Sequence, residues 1–242
     1  MTRFLKDKIL AVLLRLNRWL IYIKPGDVTG FNLPYDLGLV VKSPRAVIFD
    51  VGANMGQSIE MFLEACPGCS IYAFEPTPQC AAAIQQNSFG AQVRLFQLAL
   101  GDVEKTASFH EYEDSVFNSV LPMDKNSENR FSHVEMTRTS TVNVRAVDSM
   151  VKELNLSAID LLKIDTQGFD FHVLQGAVGA LKAGIVKAVS VELNFVKMYK
   201  EQDSAEAIMA FLHSHGLMLV DLYEKWRHGH TVAWCTAVFM KR

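Results

Sequence analysis

The hydrophobic positions of this chain fall in short clusters separated by turn-forming residues, and the spacing within each cluster predicts its element. Val47, Ile48 and Phe49 form a continuous apolar run closed by Asp50, the pattern of a strand buried on both faces of a parallel sheet. Gly52, Ala53, Asn54 and Gly56 make a turn, after which Ile59, Met61, Phe62, Leu63 and Ala65 follow a helical period. The rhythm then repeats: a strand over 70–76, a helix over 79–86 and a strand over 93–100. Further on come a helix over 147–154, a strand over 159–165, a helix over 169–181, a strand over 188–194, a helix over 205–215 and a strand over 217–223. The last apolar run, 234–240, follows a loop too short to hold a crossover helix, so that strand is expected to run antiparallel. Alternating strands and helices predict one α/β domain, a mostly parallel sheet with helices on both faces.

Two regions break the rhythm. Within an inserted stretch, 103–146, residues 106–112 and 139–145 alternate apolar with polar and read as an added antiparallel pair. Between them, 113–138 is polar and rich in amides and hydroxyls (Asn118, Ser119, Asn126, Ser127, Asn129, Ser132). A loop that long in a compact domain is either disordered or functional. We read it as a lid suited to a hydroxyl-rich acceptor. The second region is the N-terminal stretch. Residues 1–24 carry six Lys or Arg against Asp7, a net +5, with Ile9, Val12, Leu13, Leu16, Trp19, Leu20 and Ile23 along one helical face. Arg15 and Arg18 interrupt any run long enough to span a bilayer, and no small-residue cleavage site follows. Two readings stay open: a helix on a membrane surface, giving peripheral membrane contact, or a helix packed on the domain or on a second copy in a homo-oligomer. Residues 26–45 read as a linker with a short helix near 35–41, which puts the boundary between extension (1–44) and domain (45–242) near Arg45.

Composition narrows the picture further. A chain of 242 residues, 50% hydrophobic, can bury one full core, and a net charge of −2 gives no footprint for nucleic acid. Four cysteines are too few for a disulfide framework, so the expected compartment is the reducing cytoplasm. Cys66 and Cys69 form a Cys-x-x-Cys pair, but with no second pair elsewhere they read as ordinary half-buried thiols.

The chemistry sits at the strand tips. The turn after Asp50 brings glycines and a helix N-terminus together, a cradle that lets backbone approach a nucleotide-like ligand. Glu75 ends the second strand 19 residues beyond Gly56, close to the spacing of about 20 at which a carboxylate takes ribose hydroxyls. The dinucleotide pattern Gly-x-Gly-x-x-Gly is absent, and Asp50 before the turn suits a cationic ligand such as S-adenosylmethionine. Asp102 follows the third strand and is either an acceptor for an adenine amino group or a turn aspartate. Asp165 and Glu192 end two further strands and are the candidates to take a proton from an acceptor hydroxyl. No carboxylate pairs with either at a spacing that suits a divalent cation, so no metal is expected; His228 and His230 are a weaker pair for a softer ion.

Four short motifs, Asp50-Val-Gly-Ala-Asn-Met-Gly56, Phe74-Glu-Pro76, Ala99-Leu-Gly-Asp102 and Lys163-Ile-Asp-Thr-Gln-Gly168, resemble in order and spacing the signatures of the FkbM-type methyltransferases. Val191-Glu-Leu-Asn194 and Ala237-Val-Phe239 extend the likeness over about residues 45–242. The resemblance implies a Rossmann-like class I methyltransferase sheet of seven strands with the last antiparallel. It also implies S-adenosylmethionine as donor and O-methylation of a sugar, a glycan or glycolipid, or a natural product. By the same likeness Gly52, Ala53, Asn54 and Gly56 hold the methionine end, Glu75 and Pro76 the ribose side, and Gly101 and Asp102 the adenine side. Two positions depart from the family pattern: Gln167 where glutamate is frequent, and Thr236 where aspartate is common. The competing classes are a nicotinamide-dependent oxidoreductase, which also needs a ribose carboxylate, and a non-catalytic nucleotide-binding module.

Overall fold

A computed structural model describes residues 27–125 and 133–242. The N-terminal segment 1–24, for which a membrane or packed helix was open, lies outside the described residues, as do residues 126–132 of the polar loop.

The chain opens with α1 (Leu33–Val40), whose first turn holds Pro34 and whose N-cap Asn32 accepts from Tyr35 N–H at 3.0 Å. Then come β1 (Val47–Val51), α2 (Gln57–Ala65), β2 (Ser70–Phe74), α3 (Pro78–Gln86) and β3 (Val93–Phe96). The insertion contributes β4 (Ala99–Gly101), β5 (Lys105–Tyr112) and β6 (Met136–Ala146). The main rhythm resumes with α4 (Val147–Glu153), β7 (Leu161–Ile164), α5 (Asp170–Gln175), α6 (Val178–Lys182) and β8 (Ala188–Asn194). It closes with α7 (Ala205–Ser214), β9 (Leu217–His228) and β10 (Thr231–Lys241).

Seven of these strands form one sheet in the order β3-β2-β1-β7-β8-β10-β9. The pairs from β3 through β8 are parallel, and β10 runs antiparallel to both neighbours, as its short approach loop requires. Successive strand residues feed opposite faces. Phe49, Leu162 and Val189 pack with Val147, Leu174, Leu181 and Leu212 on one side. Ile48, Leu161 and Ala188 pack with Leu37, Ile59, Phe62 and Ile84 on the other. Each such side chain, fully buried, contributes about 1.5–3 kcal/mol, so the sheet is fixed from both faces and its C-terminal edge becomes a rigid rim.

Three expectations are corrected. The apolar run 93–100 is not one strand: Leu98 N–H bonds back to Phe96 O at 2.9 Å, a tight turn that ends β3 and sends β4 into a separate three-stranded sheet, parallel to β6. The helix over 169–181 is two helices. Asp148 N–H takes the Gly176 carbonyl, and the Asp148 carboxylate caps the second helix through Gly179 and Ala180 N–H at 2.7 Å each. The expected linker is part of the fold: Leu33, Leu37 and Val41 enter the core, and buried Asp36 accepts from Thr29 N–H, Thr29 O–H, Gly30 N–H and the Tyr223 hydroxyl. The antiparallel pair within the insertion forms as expected, in β5 and β6.

The Tyr223 hydroxyl reaches Asp36 at 3.0 Å and thus ties β9 to α1. Tyr223→Phe is expected to lower stability by about 1.5 kcal/mol or more, as for a hydrogen bond to a charged group. Urea unfolding checks this: the midpoint should fall with the slope unchanged.

Candidate active site

At the rim, the ends of β1, β2, β7 and β8 enclose a cavity of about 400 Å³, within the usual range for a small-molecule site. The turn after β1 forms one wall. Gly52 and Ala53 N–H both bond to Phe74 O, at 3.0 and 3.2 Å, which presses the turn onto β2. Gly52 has φ of +74°, and a Cβ there would lie 1.9 Å from the Asp165 carbonyl oxygen, so only glycine fits. Asn54 also takes a left-handed conformation, and Gly56 caps the nine-residue α2 at φ +95°. Gly56 itself packs against Phe89 rather than lining the cavity.

Asp50 does not face a ligand. It is fully buried: Oδ2 accepts from the Ser58 hydroxyl at 2.6 Å, and Oδ1 lies 3.0 Å from Lys163 Nζ, an ion pair off the hydrogen-bond line. The expected role toward a cationic ligand is therefore corrected, because its charge is neutralised within the protein. Lys163, only 13% exposed, also donates to Gly52 O at 2.9 Å and lines the cavity. Burial pulls its pKa down, but the carboxylates of Asp50 and Asp165 outweigh that and hold it above its ordinary value. Lys163 falls within the fourth sequence motif, which assigns it no task. Its role comes from sheet register, which sets it beside Asp50 on the adjacent strand.

Glu75 is where a ribose carboxylate should be. It is buried, with Oε1 accepting from Thr77 N–H (2.9 Å) and the Thr77 hydroxyl (2.6 Å), and Oε2 from Asn54 N–H (3.0 Å). Burial pushes its pKa up and these bonds oppose the shift. The carboxylate keeps about one further acceptor site, on Oε2, for a ribose hydroxyl. Ala53, Asn54 and Pro76 line the cavity beside it, and Leu100, Phe109, Val116 and Val120 give an apolar wall. The other two expected adenine-side residues are displaced. Gly101 packs under Phe169 and Val144, and Asp102 lies outside the lining, ion-paired with Lys105 at 3.0 Å. Asp102 is thus a turn aspartate in the insertion, because β4 belongs to the small sheet.

The far end of the cavity is acidic. Asp165, Glu192 and Glu224 all line it, together with Thr236, whose hydroxyl donates to Glu224 at 3.0 Å. Asp165 has a 45% exposed side chain, accepts from Gln167 Nε2 at 2.8 Å through Oδ1, and holds Oδ2 3.9 Å from Lys163. Glu192 accepts from Asn194 Nδ2 at 3.1 Å; burial, then the charges of Asp165 and Asp170, raise its pKa well above the usual carboxylate value. Glu192 is therefore the member of the pair whose protonated form is favoured, and Asp165 the open one. Asp170, deeply buried and pushed up to about 6, accepts from Thr166 N–H, the Thr166 hydroxyl and Gly168 N–H, and so fixes the turn that presents Asp165.

The described part of the polar loop closes over this cavity, with its hydroxyls and amides bound to protein. The Ser115 hydroxyl donates to Asn54 Oδ1 (3.0 Å), the Ser119 hydroxyl to Gln167 O (2.7 Å), and Asn118 Oδ1 accepts from Tyr112 N–H (2.8 Å). His228 and His230 lie outside the cavity lining, and among the described residues no three His, Cys, Asp or Glu side chains converge as for a metal.

A seven-stranded sheet with its last strand reversed, a glycine turn at the first strand and a buried carboxylate at the tip of the second define a class I S-adenosylmethionine-dependent methyltransferase. The buried Glu75 carboxylate and the glycine turn fit that donor, whose ribose Glu75 would hold. The methyltransferase FkbM domain matches residues 50–217, and the chain belongs to that family. It is 26% identical over 186 residues to the 2-O-methyltransferase NoeI of Sinorhizobium fredii, covering 74% of this chain and 76% of that one. It is also 26% identical over 204 residues to the 31-O-demethyl-FK506 methyltransferase FkbM of Streptomyces tacrolimicus, covering 73% and 74%. The crystal structure of methyltransferase FkbM from Methylobacillus flagellatus superposes with a TM-score of 0.52 at 15% identity. That overlap takes in 81% of this chain but 44% of the other, and shows the shared fold. The oxidoreductase and non-catalytic alternatives fall with this assignment.

Two outcomes follow from the geometry. S-adenosylhomocysteine should raise the melting temperature of the wild type, and Glu75→Ala, still folded, should lose most of that rise. The second concerns Glu192. Its pKa is higher folded than unfolded, so between the ordinary carboxylate value of 4.5 and the folded value the native state holds a proton that the unfolded state has lost. That contribution is present at low pH and lost as pH rises. Glu192→Gln removes it, so the variant's stability should gain on the wild type from about pH 4.5 upward and level off above the folded pKa, as read from urea midpoints across pH.

Proposed function

We propose that this enzyme methylates a hydroxyl group of a sugar, a glycan or glycolipid, or a similarly hydroxyl-rich natural product. The observation that carries the reading is the carboxyl pair at the acceptor end of the cavity, Asp165 open and held by Gln167, and Glu192 held by Asn194 with burial raising its pKa. Both relatives above bear names that place a methyl group on oxygen. S-adenosylmethionine, when bound, supplies an already activated methyl group, so holding the acceptor in line accounts for much of the rate. In this reading Glu75 fixes the donor's ribose and the turn at Gly52 its methionine end. Asp165 takes the proton of the attacking hydroxyl at Oδ2, with Gln167 holding Oδ1 in place. Glu192, whose protonated form is favoured by burial and by the charges of Asp165 and Asp170, donates a hydrogen bond to a second oxygen of the acceptor. Lys163 keeps the negative field at this end in balance.

A small-molecule or glycan acceptor suits the site better than nucleic acid, since the carboxylates of Asp165 and Glu224 at the cavity wall would repel a phosphodiester. The reaction is tested with the full chain and radiolabelled donor on a panel of hydroxyl-bearing sugars and natural products, the product resolved by mass and NMR. Asp165→Asn should bind S-adenosylhomocysteine as the wild type does and lose roughly 10²-fold or more in turnover, the scale for removing a general base. Turnover that survives this substitution, or a methyl group found on nitrogen or carbon, would end the reading.

A further inference from the structure

Beyond the cavity, the β9–β10 hairpin projects past the end of β8, where Trp234 pairs with Asn194 across the strands. We propose that this hairpin carries a second, non-reacting sugar subsite: an aromatic platform centred on Trp226 that takes the pyranose ring next to the one being methylated. The proposal rests on the glycan form of the reading above.

Strand register leads from the cavity to the platform. On β8, Glu192 and Asn194 share a face, as their 3.1 Å hydrogen bond shows. Thr236 is the partner of Glu192 on β10, and Trp234 is the partner of Asn194. Across to β9, Thr236 bonds Glu224, and Trp234 stands opposite Trp226. The acidic rung Glu192–Thr236–Glu224 lines the cavity; the next rung, Asn194–Trp234–Trp226, lies on the same face two residues, or about 7 Å, further out. The extra residue this alignment needs on β9 is absorbed at Glu224, which takes φ of +49°.

The two indoles are stacked, centroids 5.2 Å apart and 11° from parallel. Trp234 is anchored from behind by the cluster that includes Phe169 and Tyr199, while Trp226 is 49% exposed. The exposed ring edges a groove of about 150 Å³ with Val196, Arg227 and His228. Arg227 Nη1 also donates to His230 O at 3.0 Å, which fixes the hairpin tip. A pyranose presents a face of C–H groups edged by hydroxyls, so it needs a flat apolar surface with polar groups beside it. A rigid aromatic pair with a basic rim supplies that combination, and being preformed it gives up little conformational freedom on binding.

The test uses the full chain as wild type, Trp226→Ala and Trp226→Phe. Each is applied to an array of pyranose mono-, di- and tetrasaccharides and assayed for methyl transfer to the same sugars; a melting-temperature rise with S-adenosylhomocysteine common to all three confirms folding. The wild type should prefer longer sugars to monosaccharides, W226A should lose roughly tenfold or more of that binding, the scale for removing an aromatic anchor, and W226F should keep most of it. Oligosaccharide binding equal in W226A and wild type, or no preference of the wild type for length, overturns the subsite. Transfer to sugars without any dependence on Trp226 sinks the platform and leaves the O-methylation reading standing. Array binding that depends on Trp226, without transfer to any hydroxyl, does the reverse.

Discussion

The ion pair between Asp50 and Lys163 is the constraint on which the rest of the site depends. The two residues are register partners on adjacent parallel strands, 3.0 Å apart at the C-terminal rim of a sheet otherwise built from apolar side chains. A lone charge in that position would be very costly; paired, and with Ser58 and the Gly52 carbonyl taking the remaining hydrogen bonds, it is tolerated. Removing either partner would leave the other as an uncompensated buried charge, a loss of about 3–5 kcal/mol. The pair therefore couples the glycine turn to β7, and with it the Glu75 end of the cavity to the Asp165 end.

From that pair the ionisation of the whole site can be read. Lys163 is the cation that Asp50, Asp165 and Asp170 all help to keep charged. Its own charge draws Glu75 and Glu192 down, yet burial dominates at both, and Glu192 also feels Asp165 and Asp170. One buried cation cannot neutralise that many carboxylates. The least compensated groups are pushed toward their protonated forms, Glu192 foremost. The difference between two chemically similar side chains, Asp165 and Glu192, thus comes from position alone: one opens to the cavity, the other sits deeper behind it.

How much of this was legible in the sequence depended on the distance over which each signal acts. The strand and helix rhythm, the reversed last strand and the spacing of Glu75 from the glycine turn are local or periodic, and the structure follows them. Asp50 was misread because its partner lies 113 residues away, joined only by sheet register. The same register gave Lys163 its role, which no motif states. The break between β3 and β4 was hidden because both halves are apolar, and the turn at Leu98 is made by backbone with no glycine or proline to mark it. Asp102 went with that break. The split helix was hidden for a related reason: the apolar period runs on through Gly176, while the capping group, Asp148, comes from another helix. Of the Asn and Ser residues named in the polar loop, Asn118 and Ser119 are the described ones, and they lie beside the cavity rather than offering free groups to it. Those that are described bond to protein, because in a closed site a free side-chain amide or hydroxyl must find a partner.

The insertion also does something the sheet cannot. Gln167 sits at φ +55°, a conformation that costs a residue with a side chain about 1–3 kcal/mol and persists only where neighbours over-determine it. Its neighbours do so from three directions: Ser119 bonds its carbonyl, Tyr199 reaches its side-chain oxygen at 3.1 Å, and its amide nitrogen holds Asp165. The Tyr199 hydroxyl lies as close to Phe117 O, at 3.0 Å, so one phenolic proton serves an acceptor in the insertion and one in the turn. Asp165 is therefore aimed by the segment 117–119 acting through Gln167, while Asp50, Lys163 and Glu75 are aimed by the sheet. Within the acidic end, Asp165 alone is aimed by the inserted segment, while Glu192, Glu224 and Thr236 stand on strands of the main sheet, so a change in the insertion can re-aim Asp165 against a fixed background.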